Sequence, residues 1–298
     1  MPLYFWQDIL SMALPNTPSA PVIKQGWMRA IVLFIGYLLV SVAAAYIAGG
    51  IWTKLHPEAT TQQAIESLEF NVLGLLLAAV LSVPLVLAAR LFIDRRSLLS
   101  MGFQWQGFSR QAMAGLLLGI VLLGAGSLIL LATGHIWWTD ASFNAASFFP
   151  ALALFALIAL EEELIFRGYM LNNLMDSMNK WAALAITTVA FALVHLGNLH
   201  IDVIAVVNLL AGGFLLGINY IYTRNLWFSI LFHFSWNFCQ GSVLGYEVSG
   251  LGFQSLLQME KNGNALLTGG QFGFEGSVIA TILLVIAILF CQKRSWWR

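Results

Sequence analysis

Long apolar segments, each close to the length needed to cross a lipid bilayer, restrict this chain more than any other feature. An α-helix rises about 1.5 Å per residue and the hydrocarbon layer is about 30 Å thick, so a spanning helix needs about 20 mostly apolar residues. Segments that reach or approach this length are Trp27–Trp52, Phe70–Ile93, Gln111–Thr133, Phe148–Phe166, Trp181–Leu199, Val203–Tyr222, Leu226–Leu244 and Ser277–Gln292. Because lipid offers backbone groups no hydrogen-bonding partner, such segments must form helices. The pattern predicts an all-α, polytopic membrane helix bundle of about eight transmembrane helices.

The composition agrees with this class and excludes several others. The chain is 59% hydrophobic and 9% charged, whereas soluble domains carry about 25% charged residues, so this chain could not coat a soluble globule. Its 14 basic and 14 acidic residues balance to a net charge of zero, which leaves no basic excess to bind nucleic acid. Cys239 and Cys291 lack CxxC spacing, so we expect neither a disulfide framework nor a thiolate metal site.

The basic residues indicate the orientation, because Lys and Arg near span ends stay on the cytoplasmic side. With the N-terminus inside, all 14 of them except Lys54 and Lys261 fall on that side. We therefore expect an integral protein of a bacterial-type plasma membrane with both termini in the cytosol.

Residues 1–298 are predicted as one membrane domain, in which residues 148–244 carry the spans with functional motifs. The outside loop at 245–276 is predicted to be irregular. The sequence indicates no oligomeric state.

Ionisable and amide side chains inside three of the predicted spans are the candidates for function, since a charge at the bilayer centre costs about 2.5–3.5 kcal/mol on insertion scales. They are Glu161, Glu162, Glu163 and Arg167 in the fourth span, His195 in the fifth, and His233 and Asn237 in the seventh. A single buried His or Asn often only joins helices by hydrogen bonds. The joint occurrence on three spans favours a functional site instead. We expect Glu161 to face the lipid headgroups.

Helical geometry gives these side chains directions. Glu163 and Arg167 are four residues apart and can pair along one helix face, whereas Glu162 points about 100° away from Glu163. His233 and Asn237 lie one turn apart on a common face. A carboxylate and one imidazole can hold and deprotonate a water, while a second imidazole and an amide donate to an oxyanion. This combination predicts a hydrolytic site.

Short motifs with fixed spacing follow one another through these spans: EExxxR at residues 162–167, FxxxH at 191–195 and HxxxN at 233–237. In this order they resemble the CPBP intramembrane proteases, also called the Abi or CAAX-protease family, which includes the type II CAAX prenyl endopeptidases. Residues 1–145 match only in being hydrophobic spans. The resemblance implies an endopeptidase that hydrolyses a peptide bond of a membrane-associated protein or peptide.

The resemblance also implies a role for each polar residue of the motifs. It assigns Glu162 as the general base that activates water, His195 as the group that holds or shares this water, His233 and Asn237 as the oxyanion donors, and Glu163 and Arg167 as supporting residues that orient the site. A prenylated CaaX tail is the family's best-known target, but many members act on other membrane proteins, and this sequence contains no recognisable prenyl pocket.

Metal dependence stays open at this point. Zinc or another divalent metal would be held by Glu162, His195 and His233. The HExxH spacing of many zinc proteases is absent, however, and a glutamate–histidine water site can work without metal. We favour a metal-free hydrolytic mechanism and predict no particular cofactor.

Other classes of function use similar residues. A proton-coupled transporter also places Glu, His and Asn inside the membrane, although this chain lacks paired halves with matching broken helices. A non-catalytic membrane scaffold or immunity-type protein could keep the motifs without using them.

Overall fold

The computed structural model of the chain describes residues 20–292. Within this range the fold is mostly helical, as predicted, and a helix lies at the position of every predicted span. In chain order, the elements are α1 (Gly26–Leu55), α2 (Thr61–Glu66), α3 (Leu68–Ala88), α4 (Ser109–Ala132), β1 (Ile136–Ala141), α5 (Ala145–Glu163), α6 (Lys180–Val194), α7 (Val203–Thr223), α8 (Trp227–Phe238), β2 (Leu257–Lys261), α9 (Ala265–Thr268) and α10 (Val278–Cys291).

Five helical segments in the described range are long and apolar enough to cross a membrane. They are Gly26–Leu55, Leu68–Ile93, Ser109–Ala132, Lys180–Gly197 and Val203–Thr223. Val278–Cys291 is apolar but shorter. These helices support an integral membrane protein, while the number of eight spans stays a prediction. So does the orientation, part of which rests on Lys293, Arg294 and Arg298, outside the described residues.

The helical stretch of the fourth predicted span continues beyond the predicted end at Phe166. After α5, the chain runs on as a π-helical segment, Leu164–Leu171, and a last helical turn, Asn172–Leu174. Similar π-helical segments follow α3 at Ala89–Ile93 and α8 at Cys239–Leu244. Because π-helical turns widen the helix locally and are frequent at functional sites, the end of α5 is a place where side chains can be redirected.

A small antiparallel sheet, which the sequence did not predict, joins two of the loops. β1 and β2 pair with Ile136 opposite Lys261, and the pairing is irregular between Trp138 and Asp140. Backbone groups outside helices need hydrogen-bonding partners, and two extended segments supply them to each other. The loop at 245–276, predicted to be irregular, is therefore ordered in part.

Packing divides the described chain into compact units that alternate along the sequence. The first comprises residues 20–108, 160–183 and 224–227, and the second comprises residues 109–159, 184–223 and 228–292. Each unit draws on several separate segments of the chain and is not one continuous stretch of sequence. The prediction of one membrane domain therefore stays a prediction.

Within the first unit, α1 packs along α3. Within the second unit, α7 packs along α10, and α4 closely approaches α8. A Cβ atom at Gly115 would lie 2.2 Å from the Phe228 carbonyl oxygen, and one at Gly119 would lie 2.2 Å from the Ser235 Oγ. Glycine at these positions allows the two helices to touch through their backbones, which is a common way of packing helices in membranes.

Candidate active site

The acidic motif lies in the first unit, where α5 passes into its π-helical continuation. Glu163 is fully buried, and its Oε1 accepts a hydrogen bond from Arg167 Nη1 at 2.7 Å. Arg167 is only 1% exposed. The ion pair predicted from the four-residue spacing is therefore present, and it lies out of contact with solvent. Removing either partner of such a buried guanidinium–carboxylate pair destabilises the protein, because the remaining charge is left in a medium of low dielectric constant.

The expectation that Glu161 faces the headgroups is wrong. This side chain is 4% exposed, and its Oε1 accepts a hydrogen bond from Ser82 Oγ on α3 at 2.6 Å. The neighbouring helix supplies a donor, so the carboxyl group is satisfied inside the protein. Glu162 is half-buried and is more exposed than Glu161 or Glu163.

A polar network fixes the helix just beyond the motif. Asp94 is fully buried and accepts hydrogen bonds from Tyr169 Oη at 2.9 Å, from Asn173 Nδ2 at 3.0 Å and from Arg90 Nη1 at 2.7 Å. Arg29 lies 3.7 Å from the same carboxylate. Since Tyr169 and Asn173 follow the acidic motif on one continuous helical stretch, these contacts hold that stretch in place within the first unit.

The FxxxH histidine lies in the second unit, in a tight turn that follows α6. His195 is half-buried, and its Nδ1 is 2.7 Å from the Phe191 carbonyl oxygen. A carbonyl can only accept, so Nδ1 must carry the proton and donate it. In the neutral ring, the lone pair is then on Nε2. His195 is thereby oriented to accept a hydrogen bond through Nε2.

Phe191, the first residue of the same motif, contacts both predicted imidazoles. Its ring centroid lies 4.5 Å from that of His195 and 6.3 Å from that of His233, the latter with edge-to-face geometry. His233 and Asn237 are each 8% exposed and lie one turn apart on α8. The structure thus gathers the imidazole pair around one phenylalanine, with the amide on the same helix as His233.

Comparison with protein families shows what this region is similar to. Residues 144–239 match the family model described as Type II CAAX prenyl endopeptidase Rce1-like, and this range holds all three motifs. The matched region is therefore similar to the CAAX-protease family. No curated protein matches the chain. The apolar helices and the family match together support a CAAX-protease-like integral membrane peptidase.

The sequence alone did not single out one polar residue of the second unit, Glu275. Glu275 lies in the turn before α10, where its Oε1 accepts from Trp236 Nε1 at 3.2 Å and its Oε2 accepts from Ser249 N and Oγ at 3.2 and 3.0 Å. Burial raises the pKa of the Glu275 carboxyl above its ordinary value, and the hydrogen bonds from Ser249 offset part of this rise. The sequence signal was only a lone acid in a glycine-rich loop.

The predicted site residues fall into two groups. Glu162, Glu163 and Arg167 are in the first unit, and His195, His233 and Asn237 are in the second. Within either unit, the described residues include no group of three His, Cys, Asp or Glu side chains placed to hold a metal ion. The zinc set considered from the sequence draws on both units, so it stays untested.

Proposed function

We propose that this chain is an intramembrane endopeptidase that hydrolyses a peptide bond of a membrane-associated protein or peptide with water activated by Glu162 and His195. The observation that carries the proposal is the pair of imidazoles around Phe191, inside the region that matches the CAAX-protease family. A purely structural histidine needs no second imidazole at the same phenylalanine, whereas the proposed reaction uses two, one to hold the water and one to donate to the oxyanion.

The proposed reaction assigns one task to each polar group. The Glu162 carboxylate takes a proton from a water molecule while the water oxygen attacks the carbonyl carbon, and His195 Nε2 accepts a hydrogen bond from the same water. Negative charge then develops on the former carbonyl oxygen, to which His233 and Asn237 donate. When the C–N bond breaks, the protonated Glu162 returns its proton to the leaving amine nitrogen. The balance of protons needs no further reactant.

Glu163 and Arg167 support this chemistry in the proposal by holding the helix backbone next to Glu162. Their 2.7 Å ion pair joins successive turns across the point where α5 becomes π-helical. A side chain that must deliver a proton to a defined point needs a fixed backbone, since small displacements of catalytic groups slow reactions strongly.

The proposed mechanism is metal-free. Purified protein that has been stripped with a strong chelator is therefore expected to keep its activity. Loss of cleavage on stripping, followed by recovery with zinc, would instead support Glu162, His195 and His233 as ligands. The readout is the cleavage rate before stripping, after stripping, and after adding zinc back.

The proposal is tested with purified protein in proteoliposomes and a panel of peptides: a prenylated CaaX peptide, the same peptide without its lipid, and hydrophobic membrane peptides. Mass spectrometry identifies the cleaved bond. We expect cleavage by the wild type, none by His195→Ala and strongly reduced cleavage by His233→Ala. His135→Ala is the matched control, because His135 is half-buried like His195 but lies in a loop, where its ring bonds the Thr133 hydroxyl. Wild-type cleavage by His195→Ala would contradict the proposal.

A further inference from the structure

The loop at 245–276 contains a tight turn at Val248–Leu251, called the hairpin turn below, whose backbone is closed by hydrogen bonds. Val248 N donates to the Leu251 carbonyl oxygen at 2.8 Å, and Leu251 N donates to the Val248 carbonyl oxygen at 3.0 Å. The central residues, Ser249 and Gly250, have φ of +50° and +87°. Positive φ at both central positions is typical of type I′ hairpin turns and is uncommon for a serine.

Hydrogen bonds to one carboxylate hold Ser249 in this conformation. Its backbone N and its Oγ donate to Glu275 Oε2 at 3.2 and 3.0 Å. Glu275 Oε1 accepts from Trp236 Nε1 at 3.2 Å. Trp236 lies on α8, between His233 and Asn237 in the sequence. The Glu275 carboxylate therefore joins the hairpin turn to the helix that carries both predicted oxyanion donors.

Gly250 brings the hairpin turn into backbone contact with the segment that follows His195. A Cβ at Gly250 would lie 2.2 Å from the Leu199 carbonyl oxygen and 2.9 Å from the Leu199 carbonyl carbon. Gly250 N also donates to the Phe272 carbonyl oxygen at 3.0 Å. Gly250 is buried, and its positive φ and its close neighbours both require glycine.

The contact at Leu199 lies only four residues from His195 along the chain. His195–Gly197 forms a 3-10 turn, and Asn198 N donates to the His195 carbonyl oxygen at 3.0 Å. On its other side, His195 is tied to α6 by the 2.7 Å contact of Nδ1 with the Phe191 carbonyl oxygen. The chain leaves the regular helix at this turn, so its path depends on what packs against it. The hairpin turn supplies that packing.

We propose that the hairpin turn is a positioning element of the active site: the backbone contact of Gly250 with Leu199 holds His195 in place relative to α8. Gly250 is thereby a positioning residue that acts through His195. This role rests on the proposed peptidase function. The hairpin turn lies outside the family-matched range, which ends at residue 239.

The kinetic test is Gly250→Ala in the full-length protein, with rates normalised to folded protein. The new Cβ must push the hairpin turn and Leu199 apart, and small displacements of a catalytic group slow a reaction strongly. We expect kcat to fall about 10- to 100-fold. KM should change little, because His195 acts on the water in the transition state. A wild-type kcat in Gly250→Ala would overturn the inference.

Matched glycine variants separate the contact from other effects of a new methyl group. Gly252→Ala changes the same loop, and Gly107→Ala changes a glycine with nearly the same φ, +83°; nothing lies within 4 Å of a Cβ at either position. We expect kcat and KM of the wild type for both. A fall in kcat as large as in Gly250→Ala in either control would attribute the effect to the loop or to backbone strain, and would overturn the inference.

A spectroscopic measurement distinguishes failure of this inference from failure of the proposed function. In the ¹⁵N NMR spectrum of the imidazoles in micelles, Gly250→Ala should move the His195 resonances, while Gly252→Ala should leave them in place. If Gly250→Ala does not fold, Ser249→Ala takes its place, because it removes the hydroxyl bond to Glu275 and keeps the backbone bond. Unmoved His195 resonances overturn the inference. Moved resonances in a protein whose wild type cleaves no peptide refute the peptidase function and leave the contact with His195 standing.

Discussion

Replacing Arg167 by methionine is expected to destabilise the protein by about 3–5 kcal/mol, the usual cost of removing one partner of a buried ion pair. The Arg167 Nη1–Glu163 Oε1 distance is 2.7 Å, which corresponds to an attraction of about 6 kcal/mol at an effective dielectric constant of 20. Part of this attraction offsets the cost of burying the guanidinium, so the measurable loss is smaller. What remains is the Glu163 carboxylate, fully buried without its Arg167 donor.

A double-mutant cycle isolates the pair. Glu163→Gln with Arg167→Met removes both charges, and we expect the double variant to lie closer to the wild type than either single variant, because well-packed neutral groups replace buried ion pairs at little cost. Glu247→Gln breaks the partly exposed pair with Lys261 and should cost no more than about 1 kcal/mol. Unfolding in mixed micelles, followed by fluorescence of the 11 tryptophans, gives the free energies. Costs that simply add in the double variant would refute the ion-pair reasoning.

Two further predictions concern the packing and the polar network. Gly115→Ala should destabilise the protein by about 1–3 kcal/mol, as overpacking does, because the new Cβ would lie 2.2 Å from the Phe228 carbonyl oxygen. The control is Gly124→Ala, on the same helix with open space around it. Equal unfolding midpoints for the two variants would contradict the close approach of the helices. Asp94→Asn should cost about 3–5 kcal/mol because buried Arg90 loses its charged partner. The exposed Asp140→Asn should shift the unfolding midpoint little, and a similarly small shift for Asp94→Asn would count against the network.

Local features of the chain were predictable from the sequence. Helices at the predicted spans follow from apolar length, and the Glu163–Arg167 pair follows from a four-residue spacing. The direction of Glu161 did not follow, since it depends on Ser82 of a distant segment offering a hydrogen bond. Glu275 was missed for the same reason: its hydrogen bonds with Trp236 and Ser249 are created by folding of the loop before α10, and no spacing in the sequence encodes them.

The most direct test of the central claim is the cleavage rate of Glu162→Gln, measured in proteoliposomes and normalised to folded protein. The side-chain shape is kept while the general base is removed, so we expect the rate to fall at least about 10²-fold. Exposed Glu260→Gln serves as the control and should retain the wild-type rate. Cleavage by Glu162→Gln at the wild-type rate would contradict the account of this chain as a glutamate-dependent intramembrane peptidase.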